Sequence, residues 1–186
     1  MRTTHPFRGF TLIELLIVMT MVAVMMTLAA PGLRQLLANQ RLSAAASDLQ
    51  TATMQARSTA LKNNQRVVVQ PTAGSGGNWA DGYRLFTDVD QNSIFDPSTI
   101  VGGVTETLIL TQEALPAGVT ISKVTGTNNF FAYDGSGFLA SIGGSSNSTW
   151  LIESTGTTRK KYMTLERSGR ARICDPALVR SPETCP

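Results

Sequence analysis

Histidine is almost absent from this chain: the single one, His5, lies within the first ten residues. Cysteine is nearly as rare, with only Cys174 and Cys185, both in the last thirteen positions. No G-x-S-x-G motif occurs, and the acids are scattered over candidate loops without evident pairing. These gaps remove the nucleophile–base pairs of most hydrolases and the His/Cys clusters that hold zinc. The chain is therefore expected not to be an enzyme, with no catalytic residue and no cofactor.

Charge is sparse and uneven. Only 16% of the 186 residues are charged, and the formal net charge is +3. Residues 67–155 carry Arg84 and Lys123 against eight acids, a net of −6, whereas residues 156–186 carry seven bases against three acids, a net of +4. Global charge thus says little about partners, but the C-terminal end is a basic patch. The length allows one ordinary domain plus an appendage.

Apolar residues concentrate at the N-terminus. Residues 10–30 contain one charge, Glu14. As a helix they would span about 30 Å, the thickness of a bilayer's hydrocarbon core. The preceding MRTTHPFRG is short and basic, so residues 1–9 are expected in the cytoplasm and the C-terminal part across the membrane. Glu14 is the anomaly. A carboxylate at mid-helix costs about 2.5–3.5 kcal/mol on insertion scales, and the span offers it no partner in sequence. Cutting between Gly9 and Phe10 would create one: the new α-amine of a neighbouring subunit. A rival reading is an ordinary secretory signal, with residues 15–26 as its apolar region and Thr27-Leu28-Ala29 as its cleavage site. The mature N-terminus separates the two.

The run GFTLIEL resembles the class III leader of type IV pilins and pseudopilins. The resemblance implies that a prepilin peptidase cuts after Gly9 and methylates Phe10, and that Glu14 directs docking among major and minor pilins. It implies a type IV pilin-like α+β fold, a long N-terminal helix packed on a C-terminal antiparallel β-sheet domain. The expected divisions are a leader (1–9), a transmembrane and filament-core helix (10–30), an amphipathic continuation (31–64) and a β-rich periplasmic head (65–186). The expected location is the inner membrane of a Gram-negative bacterium, single-pass, then the pilus or pseudopilus.

Pro31 predicts a kink. Beyond it, Leu42, Ala45, Leu49, Ala52, Ala56 and Ala60 recur at spacings of three and four, the apolar stripe of an amphipathic helix. Asn63-Asn64 suits its C-cap. Strand candidates then follow between Gly, Asn, Asp and Pro: RVVVQ, GYRLFTD, TLILTQ, GVTISKV, NFFAYD, TWLIES, KKYMTLE and ARIC. In DVDQNSIFD, Asp88, Asp90, Asn92 and Asp96 match positions one, three, five and nine of a calcium loop. Ser93 stands where position six needs Gly, and Thr99 where position twelve needs Glu. An Asx-rich turn is the better reading, and no metal is expected.

Two further stretches resemble the GspH/FimT branch of the pilin family: Trp79, Gly82, Tyr83 and Phe86 in the middle, and Gly169, Arg170, Arg172 and Cys174 near the end. The resemblance implies a minor pilin that primes or caps a type IV pilus and binds double-stranded DNA through Gly-Arg-x-Arg during natural transformation. The alternative is a minor pseudopilin of type II secretion. The physics is compatible with DNA binding. Arg170 and Arg172 share one face of a strand, guanidinium suits phosphate, and Gly169 permits close backbone approach. Arg159, Lys160 and Lys161 precede them as further candidate contacts. A solvated edge strand blunted by charge explains the same residues. Cys174 and Cys185, close together in an exported chain, read as one disulfide contributing about 2–3 kcal/mol.

Overall fold

The computed structural model describes residues 11–141 and 147–176. Helix α1 spans Leu12–Asn63. Ten strands follow among the described residues: β1 (Arg66–Pro71), β2 (Tyr83–Asp88), β3 (Ile100–Val101), β4 (Val104–Thr105), β5 (Leu108–Gln112), β6 (Val119–Thr125), β7 (Phe131–Tyr133), β8 (Ser148–Ser154), β9 (Lys160–Leu165) and β10 (Ala171–Cys174). The class is α+β. The chain divides into two compact units, Met1–Leu37 and Ala38–Pro186.

In the first unit the helix runs through Pro31 rather than ending there. Its break falls at residue 28, between the segments Leu12–Thr27 and Ala29–Asn63. The sequence placed the disturbance at Pro31 itself. A proline clashes with the carbonyl four residues back, here that of Thr27, and leaves it without its N–H partner. That accounts for a break one turn earlier. No single described helix is long and apolar enough to cross a membrane, but the two segments pass that test together by length and composition. Leu12, Leu15, Met25, Leu33 and Leu37 are among its exposed apolar side chains.

The second unit begins where the small-residue stripe begins. Leu42, Ala45, Leu49, Ala52, Ala56 and Ala60 are all buried, together with Ala38, Ala46 and Thr53. Thr53 is tolerated inside because its hydroxyl donates to the Leu49 carbonyl at 2.7 Å. The helix ends in a Schellman-type cap. Asn64 takes the left-handed φ of 51°, and the Gln65 N–H donates to the Ala60 carbonyl at 3.2 Å, satisfying a carbonyl that the helix end leaves open.

Two antiparallel four-stranded sheets share the core with this stripe, ordered β5-β2-β1-β7 and β10-β9-β8-β6; β3 and β4 form a separate hairpin. The chain alternates between the sheets from β5 to β8, and β8, β9 and β10 then follow in one sheet. Alanines on the helix leave room for aromatics from the strands. Trp79, in a short 3-10 turn at Trp79–Asp81, meets Trp150 edge-on at 4.8 Å between ring centroids and stacks on Phe131 at 6.0 Å. Its indole N–H donates to the Asn129 side chain at 3.1 Å, as a buried tryptophan requires. Tyr83 and Phe86 are buried too. A Cβ on Gly82, at φ +98°, would collide with the Gln112 carbonyl. The Trp79 block is therefore a core motif.

Candidate functional site

At the N-terminus, Glu14 has a partner the sequence reading overlooked. Its backbone N–H donates to Thr11 Oγ1 at 3.3 Å, and the Thr11 N–H donates back to Glu14 Oε2 at 3.4 Å. This is a reciprocal capping box with Glu at the third helical position. The signal, Thr-x-x-Glu, was legible and was eclipsed by the hydropathy of the span. Gly9 and Phe10 lie outside the described residues, as does Cys185.

The basic residues gather around the β9–β10 hairpin. Its turn is closed by the Gly169 N–H on the Glu166 carbonyl (2.9 Å) and the Glu166 N–H on the Arg170 carbonyl (3.0 Å). Gly169 follows the turn at φ +80°, as in three-residue hairpin loops that need a left-handed residue. A Cβ there would collide with the Gly137 carbonyl and lie 2.9 Å from Arg57 Nε. The close approach that Gly169 permits is to the protein's own backbone. Arg57, on α1, fixes this arrangement. Its Nε donates to the Gly137 carbonyl and its Nη2 to the Ser168 carbonyl, both at 3.0 Å. Sequence reading missed Arg57 because its contacts lie 80 and 111 residues away.

From this turn β10 runs along β9 as an edge strand, with Ala171 opposite Leu165 and Arg172 opposite Thr164. Ala171 and Ile173 pack against the core, so Arg170 and Arg172 face outward, and both are exposed. The other four candidates separate. Lys160 points to the same outer face, but its Nζ is 2.7 Å from Glu153 Oε1, the residue opposite it on β8. That carboxylate raises the Lys160 pKa. Arg159 Nη2 lies 3.5 Å from Asp175 Oδ2. Lys161 sits opposite buried Ile152, on the other face of β9. Gly169 is buried. The structure thus brings Arg170 and Arg172 together on one face and leaves Arg159, Lys160 and Lys161 paired or turned away.

The acidic loop after β2 forms Asx turns as expected: Asp90 Oδ1 accepts from the Asn92 N–H (3.1 Å), Asn92 Oδ1 from the Ile94 N–H (2.6 Å) and Asp96 Oδ1 from the Ser98 N–H (2.9 Å). The Ser98 hydroxyl, which donates to Asp96 Oδ1 at 2.6 Å, and then the Ser98 N–H hold Asp96 below the usual carboxylate range. Burial pushes Asp88 and Glu106 up.

The model of the family described as type II transport protein GspH matches residues 45–169, and that of the prokaryotic N-terminal methylation motif matches residues 5–30. No curated protein sequence gives a significant match. The crystal structure of the type IV minor pilin FimU from Pseudomonas aeruginosa is similar, with a TM-score of 0.50 and 16% identity over 73% of this chain and 90% of that one. The minor pseudopilin EpsH of the type 2 secretion system of Vibrio cholerae gives 0.49 and 13% over 73% and 98%. The FimU likeness shows the pilin-like fold. The methylation motif implies processing by a prepilin peptidase, anchoring through the apolar N-terminal helix and assembly with other pilins. The chain belongs to the GspH family and is a minor pilin or pseudopilin.

Proposed function

We propose that this protein is a non-enzymatic minor pilin of a type IV pilus, cut between Gly9 and Phe10, that primes or caps the filament and binds double-stranded DNA along β10. The observation that carries the DNA reading is the outward pair Arg170 and Arg172 on an exposed edge strand whose alternate residues are anchored in the core. Such a pair offers guanidinium groups to consecutive phosphates without base readout.

A soluble fragment beginning near Leu33 should bind duplex DNA with micromolar-class affinity at best, independent of sequence and falling as salt rises. Arg170→Ala and Arg172→Ala should each cost about 1 kcal/mol, the scale of an exposed charge contact. Lys161→Ala, Arg34→Ala and Arg41→Ala should change little. Fluorescence anisotropy at low salt decides. If the double arginine variant binds as well as the parent, the receptor reading fails.

We also propose a Cys174–Cys185 bridge that closes a loop of ten intervening residues beyond β10. Protein exported to the periplasm should then show no free thiol. Labelling of both cysteines by a thiol reagent without prior reduction refutes the bridge.

A second reading, a type II secretion pseudopilin, is favoured by the GspH family match itself. Deleting the gene separates the two. Loss of piliation and transformation supports the pilus, and loss of exoprotein release supports secretion.

A further inference from the structure

The β2–β5 pairing, rather than spacing in the chain, brings Glu106 to the neighbouring carboxylates Asp88 and Asp90. Asp88 ends β2, and Glu106 stands between β4 and β5. The Thr87 N–H donates to the Thr107 carbonyl (3.0 Å), and the Thr107 N–H donates to Thr87 Oγ1 (2.7 Å), which locks the two segments side by side. Carboxylate oxygens of Asp88, Asp90 and Glu106 then lie within 4.8 Å of one another. Asp88 is 1% exposed and Glu106 4%.

One oxygen of each buried carboxylate is used. Asp88 Oδ2 accepts from the Ser93 N–H at 3.2 Å, and Glu106 Oε2 from the Asp96 N–H at 2.8 Å. The other oxygens, Asp88 Oδ1 and Glu106 Oε1, are buried with no hydrogen-bond partner. Buried polar atoms are nearly always partnered, and an unpartnered carboxylate oxygen is costly. Arg66 does not supply the missing contact: its Nη1 lies 3.7 Å from Oδ2, the oxygen already engaged.

We propose that Asp88, Asp90 and Glu106 form a divalent-cation site of the calcium class, with Asp88 Oδ1 and Glu106 Oε1 as buried ligands and Asp90 closing it from the exposed side. The donors are all oxygen, which suits a hard cation. Calcium accepts six to eight oxygens in irregular geometry, whereas magnesium demands a near-ideal octahedron. This loop supplies the irregular kind. It is not the linear calcium loop weighed from sequence, because Glu106 comes from the segment before β5; Asp90, whose two oxygens accept from the Asn92 N–H and side-chain amide, would give the ion a second lone pair. Glu106 supplies the carboxylate that position twelve lacks. The site does not depend on the pilus or DNA reading.

The test uses the full chain in nonionic detergent, stripped with EDTA, and calorimetric titration with calcium chloride. One calcium should bind per chain at about 10⁻⁴–10⁻³ M, the range of extracellular modules, and calcium should raise the melting temperature. Magnesium should bind more weakly. Glu106→Gln and Asp90→Asn should each weaken binding about tenfold or more, since affinity follows ligand charge count. Asp90 is exposed, so its variant keeps the test valid if Glu106→Gln does not fold. Absence of calcium binding to the parent overturns the site, as does unchanged binding in both variants. A Glu106→Gln protein that melts higher than a calcium-indifferent parent overturns it too, and shows instead two carboxyls sharing a proton.

Discussion

Glu14→Gln is expected to leave leader cleavage intact and to remove the protein from sheared filaments. Glutamine at the third helical position still closes the capping box with Thr11, so the helix start seen here survives. What is lost is the charge. A carboxylate is retained in an apolar span, against a cost of about 2.5–3.5 kcal/mol at mid-helix, when it finds a partner there. We propose that the Phe10 α-amine of a neighbouring subunit, freed by the cut, is that partner. Removing one member of a buried ion pair costs about 3–5 kcal/mol, enough to lower incorporation more than about a hundredfold. Glu14→Ala should lose the cap as well and be no better. Immunoblots of membrane and sheared fractions measure the effect. Normal incorporation of Glu14→Gln would leave the capping box as the whole role of this residue.

Gly169→Ala should be the most damaging single change in the Gly-Arg segment, and its effect should fall on stability before it falls on any ligand. At φ +80° an alanine pays about 1–2 kcal/mol for the left-handed backbone. Its Cβ also meets the Gly137 carbonyl and Arg57, and overpacking of this kind costs about 1–3 kcal/mol. The sum, about 2–5 kcal/mol, lowers the melting temperature by roughly 5–15 °C at this size. Gly74→Ala is the control. Gly74 also has a positive φ, +93°, but open space around its missing Cβ, so only the backbone cost applies. Thermal denaturation of both variants measures the difference. Equal melting temperatures would mean that the turn relaxes freely and that Arg57 does not hold it.

Much of this architecture was legible from residue spacing. The alanine-rich stripe announced the buried helix face, because 3.6-residue periodicity survives even when the side chains are small. All eight strand segments read from the sequence appear. The hairpin of β3 and β4 did not announce itself: two residues a side are too few to show alternation, and only Gly102-Gly103 between the valines hinted at it. The candidate site was less legible, because its decisive contacts are long-range. Sequence can list Lys160 and Arg159 as basic, but only strand register puts Glu153 opposite Lys160. Nothing local ties Arg57 to Gly137, or Glu106 to Asp88.

The alternation of the chain between two sheets has a consequence for how the head comes apart. Strand β6 pairs with β8, yet β7 lies between them in sequence and pairs with β1 across the first sheet. Neither sheet can therefore be completed by a contiguous stretch of chain, and neither can peel away while the other stays whole. Opening β8 strands β6, and opening β7 uncovers β1. The head is built to unfold as one cooperative unit, so a lesion at the Gly169 turn and one beside Asp88, though on different sheets, draw on a single shared stability.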